Sequence, residues 1–376
     1  MKNKMEHYLY GDNIWIEGKR GWFSSAKIPA VFELDMENNI CCLFKELPEK
    51  QEGLLRQNSI CIKAEEKFFL LPVEGTVIWV YCPEKDEFNK IEFQNPKQKK
   101  PFMDYLFDKD GILYIWASGL RQIVTIDIDK QIILAYYDVE IEEEKLGQWT
   151  VVNNKLYIVS IEKAVVYEYD FNTNCLKEFF LSNTEVRINT ICHDGENFWL
   201  GSISGCIYIW KPEAEILEKV YSEKSTNYEV AAFSYSIYVN GKILFVPFEM
   251  NSILLFDRKN KKSCRPQMPE EGLSEKDGGI KLSFRYVRDN RYCGYYSWLT
   301  RRYMEIDTET QAQYYIDYKR TPEVMYMIHK CLKRPAVWNE NDNQKELYNW
   351  LLSSEKNICS EENTEESNGL KIHNMM

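Results

Sequence analysis

Residues 150–174 read TVVNNKLYIVSIEKAVVYEYDFNTN. The polar pair Asn153-Asn154 divides two apolar runs, and a third run ends at Asp170 before the polar Asn172-Thr173-Asn174. Asn tolerates the positive φ that two-residue hairpins of primed type need, so the pair reads as a tight turn. An Asp at a strand end accepts backbone amides two residues on and closes a second turn. The stretch thus predicts strand a, a turn, strand b, a loop, strand c, an Asp turn and strand d.

Both signals recur in register along the chain. The first returns as Glu65-Glu66, Asp110-Gly111, Asp194-Gly195, Asn240-Gly241 and Asp289-Asn290, with Gly18 in the same place in the first repeat. The second returns at Asp35, Asp127, Asp257 and Asp307, with Cys82 and Lys211 in its place in repeats two and five. First turn and second turn stand 17 residues apart in six repeats and 18 in the seventh, Asp289 to Asp307. The spacing between repeats drifts from 41 to 50 residues, as a rigid inner unit with variable connectors requires. Thirteen residues after the first turn lie Val31, Ile78, Ile123, Val166, Ile207 and Ile253, all β-branched and suited to a packed pleated surface. Four residues after it lie Trp22, Phe69, Tyr114, Tyr157, Phe198, Leu244 and Cys293.

Four strands in about 45 residues is the size of one propeller blade, and seven such units fall within the usual range. A pair of β-sandwiches does not demand seven equal units, and a linear solenoid uses shorter coils. The fold class is all-β, a seven-bladed β-propeller of four-stranded antiparallel blades. The expected blades are 8–46, 58–93, 103–138, 147–181, 187–221, 229–266 and 281–318. A helical extension is expected over 319–354 and a disordered tail over 355–376.

Residues 8–318 resemble the broad β-propeller repeat superfamily that includes WD, Kelch and quinoprotein-like repeats. The turns Asp170-Phe171-Asn172-Thr173 and Asp307-Thr308-Glu309-Thr310 are most similar to the quinoprotein-like kind. The Gly-His and Trp-Asp signatures of WD repeats are missing, and a Gly-Gly pair occurs once, at Gly278-Gly279. Lys, Glu and Asn usage is similar to that of propeller proteins from low-GC bacteria. The resemblance implies a fold and leaves the activity open.

Composition narrows the function. The 376-residue chain is 44% hydrophobic, 28% charged and 14% aromatic, with net charge −11. A negative field opposes phosphate backbones and anionic membranes, so neither nucleic acid nor membrane is an expected partner. Lys97, Lys99 and Lys100 form a small basic group that reads as a solvated loop. Eleven Cys, an odd number without a Cys-x-x-Cys pair, suit neither a disulfide framework nor a zinc site. With no apolar segment after the basic N-terminal residues and no run near the ~20 residues that span a bilayer, a cytoplasmic protein is expected.

Past Tyr318 the period changes. Thr321-Pro322-Glu323 reads as a helix start, and Val324, Met327, Ile328, Cys331 and Leu332 follow at helical spacing until Pro335. Asn343 with Glu346 three residues on starts a second helix, with Leu347, Trp350 and Leu351 on its apolar face. Docking on the propeller is the expected use of these helices, and a groove-binding face for a partner the other.

Catalytic signatures are few. The four His (His7, His193, His329, His373) share no metal-ligand spacing. Gly-x-Ser-x-Gly elbows, phosphate-binding Gly-rich loops and the Ser-x-Asp-x-Gly-x-Thr-Trp turns of sialidases are absent. No cofactor or metal is expected, and an enzyme is not the favoured reading. Ligands of propellers sit where b–c and d–a loops open around the central channel. The b–c loops bring Lys27, Glu74, Glu162 and Glu249 to one aligned position, and Ser118, Ser202 and Ser297 to the one before it. Arg121, Trp298 and Arg301 lie nearby, and Asp12, Asp104, Tyr105, Trp149, Asn189, Tyr235 and Arg285 fall at the start of strand a. The longer connectors at 51–55 and 268–280 would rim the same face. The expected function is a non-catalytic scaffold holding a protein or peptide partner on this face. The alternatives are a carbohydrate or small-molecule binder, and a propeller hydrolase or lyase.

Overall fold

A computed structural model describes residues 9, 11–25, 28–48, 58–94, 100–143, 145–181, 186–222, 231–250, 252–267, 281–298, 300 and 302–331. Seven antiparallel sheets follow one another, each from four consecutive strands ordered a-b-c-d. The chain is a seven-bladed β-propeller. The innermost strands are Trp15–Glu17, Asn58–Ala64, Met103–Lys109, Leu146–Val152, Ile188–His193, Phe233–Val239 and Leu282–Arg288.

The a–b turns follow their residues. Glu65-Glu66, Asp110-Gly111, Asn153-Asn154 and Asn240-Gly241 each hold two positive φ angles, as mirror-type hairpins require. Blade five departs from the expected two-residue turn. His193 pairs with Phe198, leaving a four-residue loop in which the Asp194 carboxylate accepts the amides of Glu196 and Asn197, each at 2.8 Å. The longer loop shifts strand b by one residue in phase. Tyr157 faces forward from blade four and Phe198 backward from blade five, and their rings meet at 4.5 Å.

Side-chain alternation builds the ring. In blade three, Leu113 and Ile115 point to blade two, whereas Tyr114 and Trp116 point to blade four. Seven apolar clusters result, one at each junction of successive blades and the last between blades seven and one. Val31, Ile78, Ile123, Val166, Ile207 and Ile253 are each 0% exposed, and each shares its cluster with an aromatic ring of its own blade or the next. Burying each such side chain contributes roughly 1.5–3 kcal/mol.

The c–d turns form as the Asp signal requires. Asp35 accepts the amides of Glu37 and Asn38 at 3.0 Å, and Asp127, Asp170, Asp257 and Asp307 accept amides two or three residues on. The Arg291 guanidinium beside Asp307 holds its carboxyl well below the usual carboxylate range. The fourth residue after the signal is left-handed in all seven blades: Asn39, Asp86, Gln131, Asn174, Glu215, Lys261 and Gln311, with φ of 53–63°.

The extension differs from expectation at its first residues. Lys319–Arg320 is a short strand, added parallel to the outer strand Ile40–Glu46 of blade one. The Lys319 amide donates to Asn39 and the Thr321 amide to Cys41, covering part of an edge that would otherwise stay open. The helix Pro322–Cys331 then docks with Val324, Met327 and Ile328 buried in the cluster between blades seven and one. Its outer face carries Tyr326, 47% exposed, and Lys330, paired with Glu46 at 2.9 Å. The predicted second helix and the tail lie outside the described residues. No described helix is long and apolar enough to cross a membrane.

Candidate functional site

The inner strands of blades two to seven each carry a β-bulge. An extra residue in one strand re-aims a side chain out of the regular pleat. The re-aimed residues include Ser59, Gln148, Asn189, Ser234 and Arg285. They bond the neighbouring blades. Asn189 Nδ2 donates to the Phe233 carbonyl at 2.5 Å, Ser234 Oγ to Leu282 at 2.6 Å, and Arg285 Nη1 to Asp12 at 2.8 Å. Ser59 Oγ donates to the Asp12 carboxylate. Asn13 completes the pattern from blade one, both accepting from the Cys61 amide and donating to its carbonyl at 2.8 Å.

Gln148 reaches further. Its Oε1 accepts the Ser236 amide at 2.8 Å and the Ile191 amide at 3.3 Å, while Nε2 donates to the Ser236 carbonyl at 2.7 Å. Blades four, five and six are thereby tied by one side chain. Trp15 and Tyr105 meet edge to face at 5.8 Å, joining blades one and three. Burial, then the Asp104 carboxylate of blade three, pushes up the Tyr235 hydroxyl of blade six. Side chains of non-adjacent blades therefore meet over the channel. Gln148→Ala would leave buried amides and a carbonyl without their partner, at about 1–3 kcal/mol per group. We expect a loss of about 2–3 kcal/mol by urea unfolding, with Gln148→Glu, which keeps the acceptor, losing less.

The loop face is wired through its backbone. The residue that leads into strand a accepts an amide from its own blade's b–c loop, and often donates to the previous one. Phe102 donates to Val73 and accepts from Ser118; Ala232 donates to Ile203 and accepts from Phe248; Lys281 donates to Phe248 and accepts from Trp298. Lys145 accepts from Ile161, and Arg187 from Ile203. These bonds are 2.8–3.3 Å long, and those that cross between blades join two to three, five to six and six to seven. Ion pairs reinforce them, Lys100 with buried Glu74 and Lys163 with buried Glu143, both at 2.5 Å.

The candidate residues separate accordingly. Glu74 is 6% exposed and ion-paired, and Glu249 is 7% exposed with its carboxyl pushed up by burial, so neither is a solvated acid. Glu162 is exposed. Ser202, Ser160 and Ser297 close b–c turns by accepting amides of Cys206, Lys163 and Thr300. Ser118 Oγ donates to Phe102 at 3.2 Å. Arg121 donates to the carbonyls of Ser118 and Glu143 and stands near Glu162, joining blades three and four. Trp298 Nε1 donates to Ser283 at 2.5 Å. Asp104 and Tyr235 come near each other at the channel, Arg285 bonds Asp12 at the junction of blades seven and one, and Trp149 packs on the cluster between blades three and four. Tyr105 donates to Asp108 at 2.6 Å. Lys27, Arg301 and the two long connectors lie outside the described residues. Asn13, Gln148, Ser234, Glu143 and Lys163 were not among the expected residues; Gly147, a glycine inside a strand pattern, was the one local mark of a bulge.

His193 lies at an a–b turn, on the opposite face. Its Nδ1 accepts the Gly195 amide at 3.2 Å, and its ring sits 4.6 Å from Phe198. Among the described residues no three His, Cys, Asp or Glu side chains converge as a metal site.

No protein-family model matches the sequence, and no curated protein matches it. Solved structures do share its fold. A streptogramin B lyase superposes with TM-score 0.57 at 16% identity, over 78% of this chain and 91% of that one. A catalytically inactive histidine-to-alanine variant of virginiamycin B lyase from Staphylococcus aureus, with quinupristin, gives 0.57 at 11% identity, over 79% and 96%. BamB from Moraxella catarrhalis gives 0.51 at 12% identity, over 76% and 81%. At these identities the likeness is one of fold, that of the β-propeller.

Proposed function

We propose that this propeller is a non-catalytic binding scaffold whose b–c and d–a loop face holds a protein or peptide partner. The observation that carries the reading is the backbone wiring of that face. A surface already fixed loses little conformational entropy on association, which favours recognition by shape. The polar groups around the channel are engaged with neighbouring blades rather than set out as an acid, a base and a nucleophile. The fold is shared with lyases, one of them inactive when a histidine is exchanged for alanine. Here His193 faces the other way; the side chains of His7, His329 and His373 lie outside the described residues. The aromatics that would stack on a sugar are also committed, Trp149 to a blade junction and Tyr235 to a 4.6 Å stack on Phe284. The ten described cysteines are free thiols, which fits a reducing compartment and the cytoplasm.

The test is affinity capture from the source cells with three proteins. Wild type is compared with Glu162→Lys on the loop face and with Lys109→Glu on the a–b turn face, both at exposed positions. The expected result is a partner whose recovery falls several-fold with Glu162→Lys alone. Loss with Lys109→Glu alone moves the interface to the opposite face. Capture of nothing by wild type retires the scaffold reading.

A further inference from the structure

The loop face is not chemically uniform. The residue directly after strand b is Ile161 in blade four, Ile203 in blade five, Phe248 in blade six and Trp298 in blade seven. All four are half-buried, and the amide of each donates to the residue that leads into strand a of its blade. Blades one to three hold Ser25, the buried Val73 and Ser118 in the same place, so the apolar arc is confined to blades four to seven. Beside the arc stand Lys145, Arg187 and Lys281, which lead into the inner strands of blades four, five and seven. Glu249 lies near Lys281. Lys145 and Arg187 are exposed, and among the described residues no carboxylate pairs with either. Apolar side chains flanked by cations, on a chain of net charge −11, suit an occupant that is itself apolar and acidic.

The course of the chain says which occupant that is. The helix Pro322–Cys331 runs along the outer strand of blade one: the Thr321 amide donates to Cys41 near the start of that strand, and Lys330 pairs with Glu46 at its end, at 2.9 Å. Outer strands run from the c–d turns to the loop face. The helix therefore delivers the chain to the loop face beside blade seven, where Trp298 packs on the same cluster as the helix. The sequence beyond Cys331, outside the described residues, carries Leu347, Trp350 and Leu351 at the spacing of one helical face. Glu340, Asp342, Glu346 and Glu355 surround them, with Lys345 as the single cation from 340 to 355. We propose that this C-terminal segment, residues 340–355, seats Leu347, Trp350 and Leu351 on the arc of blades four to seven, with its carboxylates toward Lys145, Arg187 and Lys281. Residues 332–342 reach up to about 35 Å when extended, more than the radius of about 25 Å of a compact domain of this size. The tether also gives the segment an effective concentration on the order of millimolar at the arc, which a diffusing peptide of equal affinity does not have. A partner of the loop face then has to displace it.

The test uses the full chain alone, so it holds or fails whether or not affinity capture finds a partner. Carbodiimide joins a carboxylate directly to a lysine amine, with no spacer. It is applied to an equal mixture of ordinary and nitrogen-15 protein, and the products are read by mass spectrometry. The expected result is a set of links from Glu340, Asp342, Glu346 or Glu355 to Lys145 or Lys281, all within one chain. Their yield falls several-fold in Trp350→Asp and in Leu347→Asp. Each variant adds a carboxylate, so attraction between charges alone predicts no fall. The proposal is overturned by the absence of such links, or by links that persist in both variants. Equal yields to Lys109 and Lys211, exposed on the opposite face, overturn it too, because the segment then has no preferred seat. Links between ordinary and labelled chains do the same, since the occupant is then a second copy.

Discussion

Val324→Asp is expected to cost about 3–5 kcal/mol, most of the 5–15 kcal/mol by which a typical domain is stable. Val324 is 0% exposed and belongs to the cluster that closes the ring, beside Tyr303 and Ile316 of blade seven and Phe32 and Leu34 of blade one. Each blade here is made of four consecutive strands, and among the described residues no strand from the chain start completes the last blade. Closure rests on that cluster, on Arg285 and Tyr303 bonding to residues 12 and 9, and on the strand and helix that follow blade seven. Asp is no larger than Val, so the change inserts a charge without overpacking the site. Denaturant unfolding followed by Trp fluorescence gives the loss. The control is Tyr326→Asp, on the same helix but 47% exposed, for which less than about 0.5 kcal/mol is expected. Equal losses in the two variants would mean that helix propensity, not docking, sets the effect.

A loss of similar size, about 3–5 kcal/mol, is expected for Glu305→Ala at the same junction. Glu305 is 1% exposed and accepts from Arg288 Nη2 at 2.8 Å, from Tyr286 at 3.0 Å and from Tyr314. Its removal leaves Arg288, which keeps Asp289 at 3.0 Å, the buried Tyr286 and the more exposed Tyr314 without their shared acceptor. The network also has no slack. A Cβ at Gly294 would stand 2.1 Å from the Tyr286 ring, so the ring is held against bare backbone. Replacing the ionic partners together, as Glu305→Leu with Arg288→Met, should recover most of the stability, because the cost lies in the orphaned charge. Urea unfolding of the single and double variants decides this. A double variant as unstable as Glu305→Ala would show that shape, and not charge, governs the site.

The repeat was legible in the sequence because its determinants are local. Turn residues such as Asn153-Asn154 and Asp170 act on their own backbone, and the β-branched position at Val166 reports on one packed face. What could not be read was set by neighbours. The left-handed position is occupied by Gln131, Glu215, Lys261 and Gln311 in four blades, residue types that do not favour it, and the surrounding turn imposes it. The candidate acids aligned correctly by position, yet Glu74 and Glu249 are buried. Their exposure depends on where Lys100 and Lys281 arrive from linkers far along the chain. Asn189 and Arg285 were rightly assigned to strand a, but their roles come from bulges, which turn a channel-facing residue into a clip between blades.

The backbone belt of the loop face has a consequence for descent. One role, the residue before strand a that accepts an amide from its own blade's loop, is filled by Phe102, Lys145, Arg187, Ala232 and Lys281, four residue types in five places. Amides and carbonyls are common to all of them, so the role asks nothing of the side chain. Substitutions there leave the platform intact. Its side chains are thus at liberty to drift with whatever they contact, and a shape that superposes on others at 11–16% identity is the outcome such wiring permits.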